Sequence, residues 1–369
     1  MTPPITRISP DISLNGVDKF DTVIDVRSPA EFAIDHIPGA VNLAVLDDEQ
    51  RAKIGTIYKQ ISPFTAKRMG AALVAQNIAA HLQNSLQAKP RDWRPLIYCS
   101  RGGQRSSAMA QIFCNIGWHS SVIDGGYKSY RRHVLDCLDH LPKQLSLMIV
   151  SGQTGTAKTH ILRAASKKGA SVIDLEKLAS HRGSLLGSEP GQTQPTQRYF
   201  ESLLCQELKQ CISRQTVLVE AESNKIGNIH LPPAFWATMQ NAPTIRVTAP
   251  VNARVHFLQR DYAHLVNHPE CIMPLLSKLT HRHSTKQLAA WKDMIDRKNW
   301  SDFIKSLLEI HYDPSYQRSG GARLARERGV VHAATLDKDE INRLAETILS
   351  KSASVVTDKP AAVSSTSDL

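Results

Sequence analysis

Twice along this chain a short apolar strand runs into a glycine-bearing loop and then into a helix-like stretch, with further strands and helices alternating on both sides. Such alternation implies parallel sheets, because joining two parallel strands takes a crossover long enough to hold a helix. In the first half, Thr22 to Val26 reads as a buried strand and Pro29 to Ile34 opens a short helix. Thr65 to Leu86 is Ala-rich, with Met69, Leu73, Val74, Ile78 and Leu82 near helical spacing. Pro95 to Tyr98 is a strand, Gln104 to Ile116 a helix, and Val122-Ile123 a strand end before Gly125-Gly126. After residue 140 the pattern restarts. Leu145 to Val150 is a strand, Val172-Ile173 a second that ends at Asp174, and Pro195 to Ile212 a helix. Val217 to Val219 and Ile245 to Val247 are further strands, and 250 to 350 is mostly helical.

The 369 residues suit two α/β domains at about 150 residues each. The boundary is expected near His140-Leu141-Pro142. Residues 351–369, with Ser, Thr, Ala, Val and Pro but no aromatics, are expected to be a disordered tail. Hydrophobic residues at 41% and charged residues at 21% exclude collagen-like, wholly disordered and disulfide-scaffold classes. The net charge is +11, and it is uneven: 16 basic against 13 acidic residues in 1–140, and 29 against 21 in 141–369. A basic excess favours anionic partners without separating nucleic acid from phosphates. The six cysteines (99, 114, 137, 205, 211 and 271) show no metal-site spacing. No apolar run reaches the length of a membrane span, and the N-terminus lacks a signal-peptide core. A cytoplasmic protein with reduced thiols, no membrane association and no bound metal is expected.

Between the strand at Tyr98 and the helix from Gln104 lies Cys99-Ser100-Arg101-Gly102-Gly103-Gln104-Arg105-Ser106. A turn of this kind aims backbone N–H groups and a helix N-terminus at one point. With Arg105 closing it, the loop should lower the Cys99 pKa and populate the nucleophilic thiolate. The two glycines let it curl. The other five cysteines lack this context and read as small buried hydrophobes.

Asp25-Val-Arg-Ser-Pro-Ala-Glu-Phe32, His36-Ile-Pro-Gly-Ala-Val-Asn42 and Asp124-Gly125-Gly126, taken with the cysteine loop, resemble the rhodanese-like domains. The resemblance covers about residues 12–137. It implies that Cys99 carries a transferable chalcogen, with Ser100, Arg101, Gly102, Gly103, Gln104 and Arg105 as its anion loop. Five residues separate Cys99 from Arg105, where short-loop rhodaneses have four. This wider loop also matches protein-phosphatase signatures, so a phosphatase-like domain competes on this segment; no separate general acid stands out.

Gly152-Gln153-Thr154-Gly155-Thr156-Ala157-Lys158-Thr159, after the strand at 145–150, resembles the Walker A loop. Its N–H groups would cradle a diphosphate, Lys158 would add a point charge, and Thr159 could ligand Mg²⁺ if a metal is used. Ala157 replaces a glycine. Alanine suits helical backbone but not a positive-φ turn, so a different mode of phosphate binding is expected. Supporting groups are Glu220, Glu222 and Ser223 after one strand, Asp174 after another, and His181-Arg182-Gly183-Ser184 as an anion-binding candidate.

A rhodanese-like domain (12–137) followed by a P-loop domain (141–350) with a helical C-terminal part resembles the tRNA 2-selenouridine synthase family. Further matching segments are Ile54 to Lys59, Asp124 to Arg131, Asp174-Leu175-Glu176 with His181 to Ser184, and Glu220 to Ser223 with Ile226-Gly227. The resemblance implies a transferase with no tightly bound cofactor, acting on the wobble 2-thiouridine of tRNA. The sulfur is S-geranylated from geranyl diphosphate, and selenium from selenophosphate then displaces the geranylthio group, leaving 2-selenouridine. A selenophosphate-supplying enzyme is an implied partner. The basic run with Lys278, Arg282, Lys286, Lys292, Arg297 and Lys298, interleaved with Trp291 and Trp300, reads either as an RNA surface or as a solvated helix face over core tryptophans. Arg318, Arg323, Arg326 and Arg328 carry the same two readings. The alternative function is a P-loop kinase or ATPase with a rhodanese-like regulatory or phosphatase-like domain.

Overall fold

The computed structural model describes residues 3–11, 19–184, 187, 191–319 and 325–357. The first elements are β1 (Thr6–Ile8), β2 (Thr22–Asp25), α1 (Pro29–Ile34), β3 (Val41–Asn42), α2 (Asp48–Gln60), α3 (Pro63–Gln83), β4 (Pro95–Tyr98), α4 (Gln104–Ile116), β5 (Ser121–Ile123) and α5 (Gly126–His140). Then come β6 (Leu147–Gly152), α6 (Lys158–Lys167), β7 (Ser171–Ile173), α7 (Leu175–Ala179), α8 (Gln197–Cys211), β8 (Val217–Glu220), β9 (Lys225–Ile226), β10 (Ile229–His230), α9 (Pro233–Asn241) and β11 (Thr244–Thr248). The remainder is α10 (Val251–Asp261), α11 (Ala263–Asn267), α12 (Met273–Leu276), α13 (Thr285–Asp296), α14 (Trp300–Leu307), α15 (Asp313–Ser319), β12 (Glu327–His332) and α16 (Lys338–Thr357).

The chain forms two compact units. The first, residues 1–141 with 195–210, holds a parallel five-stranded sheet in the order β1-β5-β4-β2-β3. Its core joins Ile24, Val26, Ile97, Met109, Phe113 and Val122. Trp93, Phe113 and Trp118 meet edge to face or tilted beneath it. Much of the Asp25–Asn42 signature is spent on structure. Asp25 takes a bidentate bond from the buried Arg27, Ser28 and Glu31 form a capping box on α1, and Asn42 donates to the carbonyls of Asp25 and Arg27. Helix α8 belongs to this unit: Ser202 donates to Asp35 at 2.8 Å, and Glu201 pairs with Arg131.

The second unit, residues 142–194 and 211–369, holds a parallel sheet in the order β12-β11-β6-β8-β7. Central strands β6 and β8 are buried along their whole length, as a sheet covered on both faces requires. Ile161, Leu162 and Ala165 of α6 pack on this sheet with Leu344, Ala345 and Ile348 of α16. A separate cluster joins the helices beyond β11 around Trp291, Ile295, Phe303 and Leu307.

One expectation changes, and one open choice is decided. Residues 351–357, assigned to a disordered tail, continue α16, and Ser352 is buried there with its hydroxyl on the Leu349 carbonyl. Docking of the helix on the sheet overrides a composition that favours disorder. Residues 358–369 lie outside the described residues, as does Arg323. The aromatics in the basic run are core: Trp291 and Trp300 are buried, and Trp291 Nε1 donates to Ser306. The charges beside them pair locally, Lys292 with Asp296 and Arg297 with Asp293.

Candidate functional site

In the first unit, Cys99 stands at the C-terminal end of β4, the middle strand of its sheet. The residue is 3% exposed, and its sulfur accepts two bonds, from the Gly103 N–H at 3.3 Å and the Ser106 hydroxyl at 3.2 Å. The loop is tied down from the start of α5: the N–H groups of Tyr127 and Lys128 donate to the carbonyls of Cys99 and Ser100. This approach needs a glycine at 126. Its φ is +58°, and a Cβ there would sit 2.2 Å from the Cys99 carbonyl oxygen. Gly102, at φ +61°, makes the second sharp bend.

Burial alone would raise the Cys99 thiol. The Ser106 hydroxyl, the N–H groups of Arg101 and Ser106 and the charge of Arg105 outweigh it and hold the pKa below the ordinary thiol range. Arg105 acts on the sulfur through its field only. Its guanidinium bonds Ser100 Oγ at 2.8 Å and Glu31 at 3.2 Å. Arg101, Gly103 and Gln104 are exposed at the mouth.

Glu31, which the sequence reading left out of the site, is a carboxylate bonded directly to the loop through Arg105. It also accepts from Ser100 Oγ at 2.9 Å. Burial pushes its pKa up, but Arg105 and the Ser100 and Ser28 bonds more than reverse this, so it stays ionised. Replacing Ser106 with Ala removes a donor to the thiolate. The midpoint of Cys99 alkylation against pH, followed by iodoacetamide labelling and peptide mass spectrometry, is expected to rise, with slower labelling at neutral pH. An unchanged midpoint would mean that Ser106 contributes nothing to the thiolate.

In the second unit the loop after β6 leads into α6 beside the end of β8, where open parallel sheets bind ligands. Lys158 reaches back across the loop to the Gly152 carbonyl at 2.9 Å. Gln153 and Thr156 shape the turn through a 2.8 Å bond from the Thr156 hydroxyl to the Gln153 carbonyl. Ala157 corrects the expectation made for it: φ is +57° and ψ +27°, so alanine does occupy the left-handed position. Its carbonyl accepts the Ile161 N–H that starts α6, and its side chain is buried. The surrounding contacts therefore hold a conformation that costs roughly 1–2 kcal/mol outside glycine.

The loop borders a cavity of about 390 Å³. Gly152, Thr154, Gly155, Ala157, Lys158 and Thr159 line it, with Glu176, Arg182, Gly183, Ser184 and Glu222 opposite. Arg182 pairs with Asp261 at 2.8 Å and lies 4.7 Å over the Tyr262 ring. His181 accepts the Gly183 N–H through Nδ1, and the Glu222 carboxylate lies over Gly183, whose φ of +66° favours glycine. Ser223 faces a different cavity, along Ala221 to Asn224.

Thr159 Oγ1 touches two carboxylates, Glu176 at 2.9 Å and Glu220 at 3.1 Å. Burial, together with neighbouring carboxylates, pushes both above the ordinary range, and Glu220, fully buried, lies far above it. Asp174, expected beside the phosphates, instead caps α7 by accepting the Lys177 N–H and pairs with Arg163. Glu176 takes the inner place. Its signal was available in the sequence: the residue two beyond a strand-end Asp that caps a helix lies in the first helical turn. Among the described residues no cluster of three or more His, Cys, Asp or Glu is arranged to hold a metal, and no helix is long and apolar enough to cross a membrane.

A second, narrow cavity of about 50 Å³ adjoins the phosphate loop. Its lining is almost wholly apolar: Leu258, Leu265, Val266, Ile272, Trp300, Phe303, Ile304, Leu307 and Leu308. Thr154, Ser184, Leu258, Tyr262 and Tyr312 line both cavities.

Family models match both parts of the chain: "Rhodanese-like domain" over residues 10–133 and "tRNA 2-selenouridine synthase AAA domain" over 145–273. Among curated relatives named tRNA 2-selenouridine synthase, the protein of Nitrosomonas europaea is 34% identical over 297 residues, 76% of each chain. That of Bdellovibrio bacteriovorus is 36% identical, covering 70% of this chain and 69% of its own. That of Alcanivorax borkumensis is 32% identical, covering 80% and 88%. With both domains matched in order and the likeness running through most of each relative, the chain belongs to the tRNA 2-selenouridine synthase family.

Proposed function

We propose that this protein is a tRNA-modifying transferase that converts wobble 2-thiouridine to 2-selenouridine by way of S-geranyl-2-thiouridine. The observation that carries this reading is the apolar cavity sharing its rim with the phosphate loop. A nucleotide base would leave its ring nitrogens and exocyclic groups unpaired in so apolar a lining, whereas an isoprenoid diphosphate has one charged end and one hydrocarbon end. This favours the reading over a kinase or ATPase.

In the first half-reaction the 2-thio sulfur attacks C1 of geranyl diphosphate. A C–S bond forms, the C–O bond breaks, and pyrophosphate leaves into the loop. Fixed N–H groups and Lys158 stabilise the charge that develops on it. Thr159 and Glu176 line the phosphate cavity and would supply oxygen ligands to a Mg²⁺ bound there, which would neutralise part of the pyrophosphate charge, while the buried Glu220 would hold both in place. In the second half-reaction selenophosphate attacks C2 through selenium: the C2–Se bond forms, the C2–S bond breaks to release geranylthiolate, and water then cleaves the Se–P bond to release phosphate. Alkylation makes this feasible, because a thiolate leaves where a thiocarbonyl sulfur does not. The Cys99 loop is the site for that donor: it presents N–H groups and a thiol held below the ordinary pKa. The net charge of +11 suits a polyanionic tRNA, and a soluble cytoplasmic enzyme supplied by a selenophosphate-producing enzyme fits the reading.

The chain must part the side chains of so narrow a cavity, so filling it should discriminate by length. Val266, half-buried on its wall, is the place to do so. With thiolated tRNA, a Val266→Phe protein is expected to lose roughly tenfold in kcat/KM for geranyl diphosphate, equivalent to about 1.4 kcal/mol. It should lose little for the five-carbon dimethylallyl diphosphate. Equal losses for both, or none, would place the hydrocarbon elsewhere; failure of the wild type to alkylate thiolated tRNA would remove the reading itself.

A further inference from the structure

Four of the five tryptophans are buried in hydrophobic cores: Trp93, Trp118, Trp291 and Trp300. Trp236 is the exception. It sits half-buried on α9 and lines a cavity of about 470 Å³. Amide side chains share that lining, from Asn224 on one wall and from Gln240 and Asn241 on the other. Arg326 stands at the same cavity, its guanidinium held by the Gln240 carbonyl and Asn241 Oδ1. Ala221 and Glu222 line both this cavity and the phosphate-loop cavity.

A flat aromatic face, the amides of Asn224 and Gln240, and a guanidinium positioned by Asn241, whose own amide N–H is engaged by the Ala237 carbonyl, together match one ligand class. An unpaired nucleobase stacks on an aromatic ring, bonds amides along its edge, and brings a phosphate for the arginine. We propose that this cavity is a nucleobase-binding site that stacks a single-stranded base of the RNA substrate on Trp236, with Arg326 on its phosphate. The proposal rests on the reading of the protein as an RNA-modifying enzyme and adds where one unpaired base is held. The segment carrying the cavity has most of the basic excess: 29 basic against 21 acidic residues in 141–369.

The experiment is fluorescence anisotropy with a labelled anticodon stem-loop RNA containing 2-thiouridine, over a range of salt concentrations. Trp236→Ala is expected to weaken binding by about tenfold, as for one lost base stack, with the salt dependence unchanged because stacking carries no charge. Trp236→Phe should restore most of the affinity. Arg326→Gln should lower the slope of log affinity against log salt by about one. Full affinity in both the Trp236→Ala and Arg326→Gln proteins would overturn the proposal. Should the alanine protein not fold, the wild type decides. Ultraviolet crosslinking of a 4-thiouridine-substituted loop should label the peptide spanning α9; crosslinks confined to other peptides would overturn it. A wild type that does not bind the RNA at all would instead sink the RNA-modifying reading on which the proposal stands.

Discussion

A Cys99→Ser protein is expected to S-geranylate thiolated tRNA at close to the wild-type rate while its yield of 2-selenouridine falls by roughly 10³-fold or more. The separation follows from where the sulfur sits. Cys99 is held by its own loop, through Gly103 and Ser106, in a unit whose sheet is built independently of the phosphate-binding one. A serine hydroxyl occupies nearly the same volume, so the loop and its glycine turns should persist. It lacks the ionised, polarisable sulfur that the Ser106 bond and the Arg105 field sustain. The geranylated nucleoside should therefore accumulate, visible by nucleoside mass spectrometry. Normal selenation by this protein would take the reactive sulfur out of the account.

The converse defect is expected of Lys158→Ala. Its ammonium is the one side-chain cation on the loop itself, and it lies across the loop mouth on the Gly152 carbonyl. Removing it strips a positive charge from the developing pyrophosphate, which should slow geranyl transfer by roughly 10²–10³-fold. The backbone cradle remains, so binding of inorganic pyrophosphate should weaken without vanishing. Given tRNA that already carries S-geranyl-2-thiouridine, the same protein should form 2-selenouridine at a near-normal rate. A Lys158→Ala protein that failed on both substrates would show that the two chemistries are not separable in this way.

Much of this was legible in the residues because both loops are local devices. A strand, a glycine turn and a helix start bring Cys99 to Ser106, or Gly152 to Thr159, into one place whatever the rest of the chain does. What escaped was set by tertiary contact. β1 is three residues long and β12 has only Val330-Val331 as an apolar signal, yet both add parallel strands to existing sheet edges. Helix α2 has no buried residue and its mean hydropathy is low, so periodicity does not announce it. Glu31 lies 69 residues from Ser100 in sequence and meets it only after β2 and β4 pair. Asp174 and Glu176 are two residues apart, about half a helical turn: the first is consumed as a cap, leaving the second to face Thr159. Ala157 shows the opposite limit. The residue's own preference argued against positive φ, and the loop imposed it.

The central claim is that an alkylated sulfur is the obligatory intermediate between a phosphate-loop step and a cysteine-loop step. Its most direct measurement is nucleoside mass spectrometry of thiolated tRNA incubated with the wild-type protein while each small molecule is withheld in turn. Geranyl diphosphate alone should give S-geranyl-2-thiouridine, later addition of selenophosphate should convert it to 2-selenouridine, and selenophosphate alone should leave 2-thiouridine untouched. Full conversion to 2-selenouridine with no geranyl diphosphate present would contradict the account.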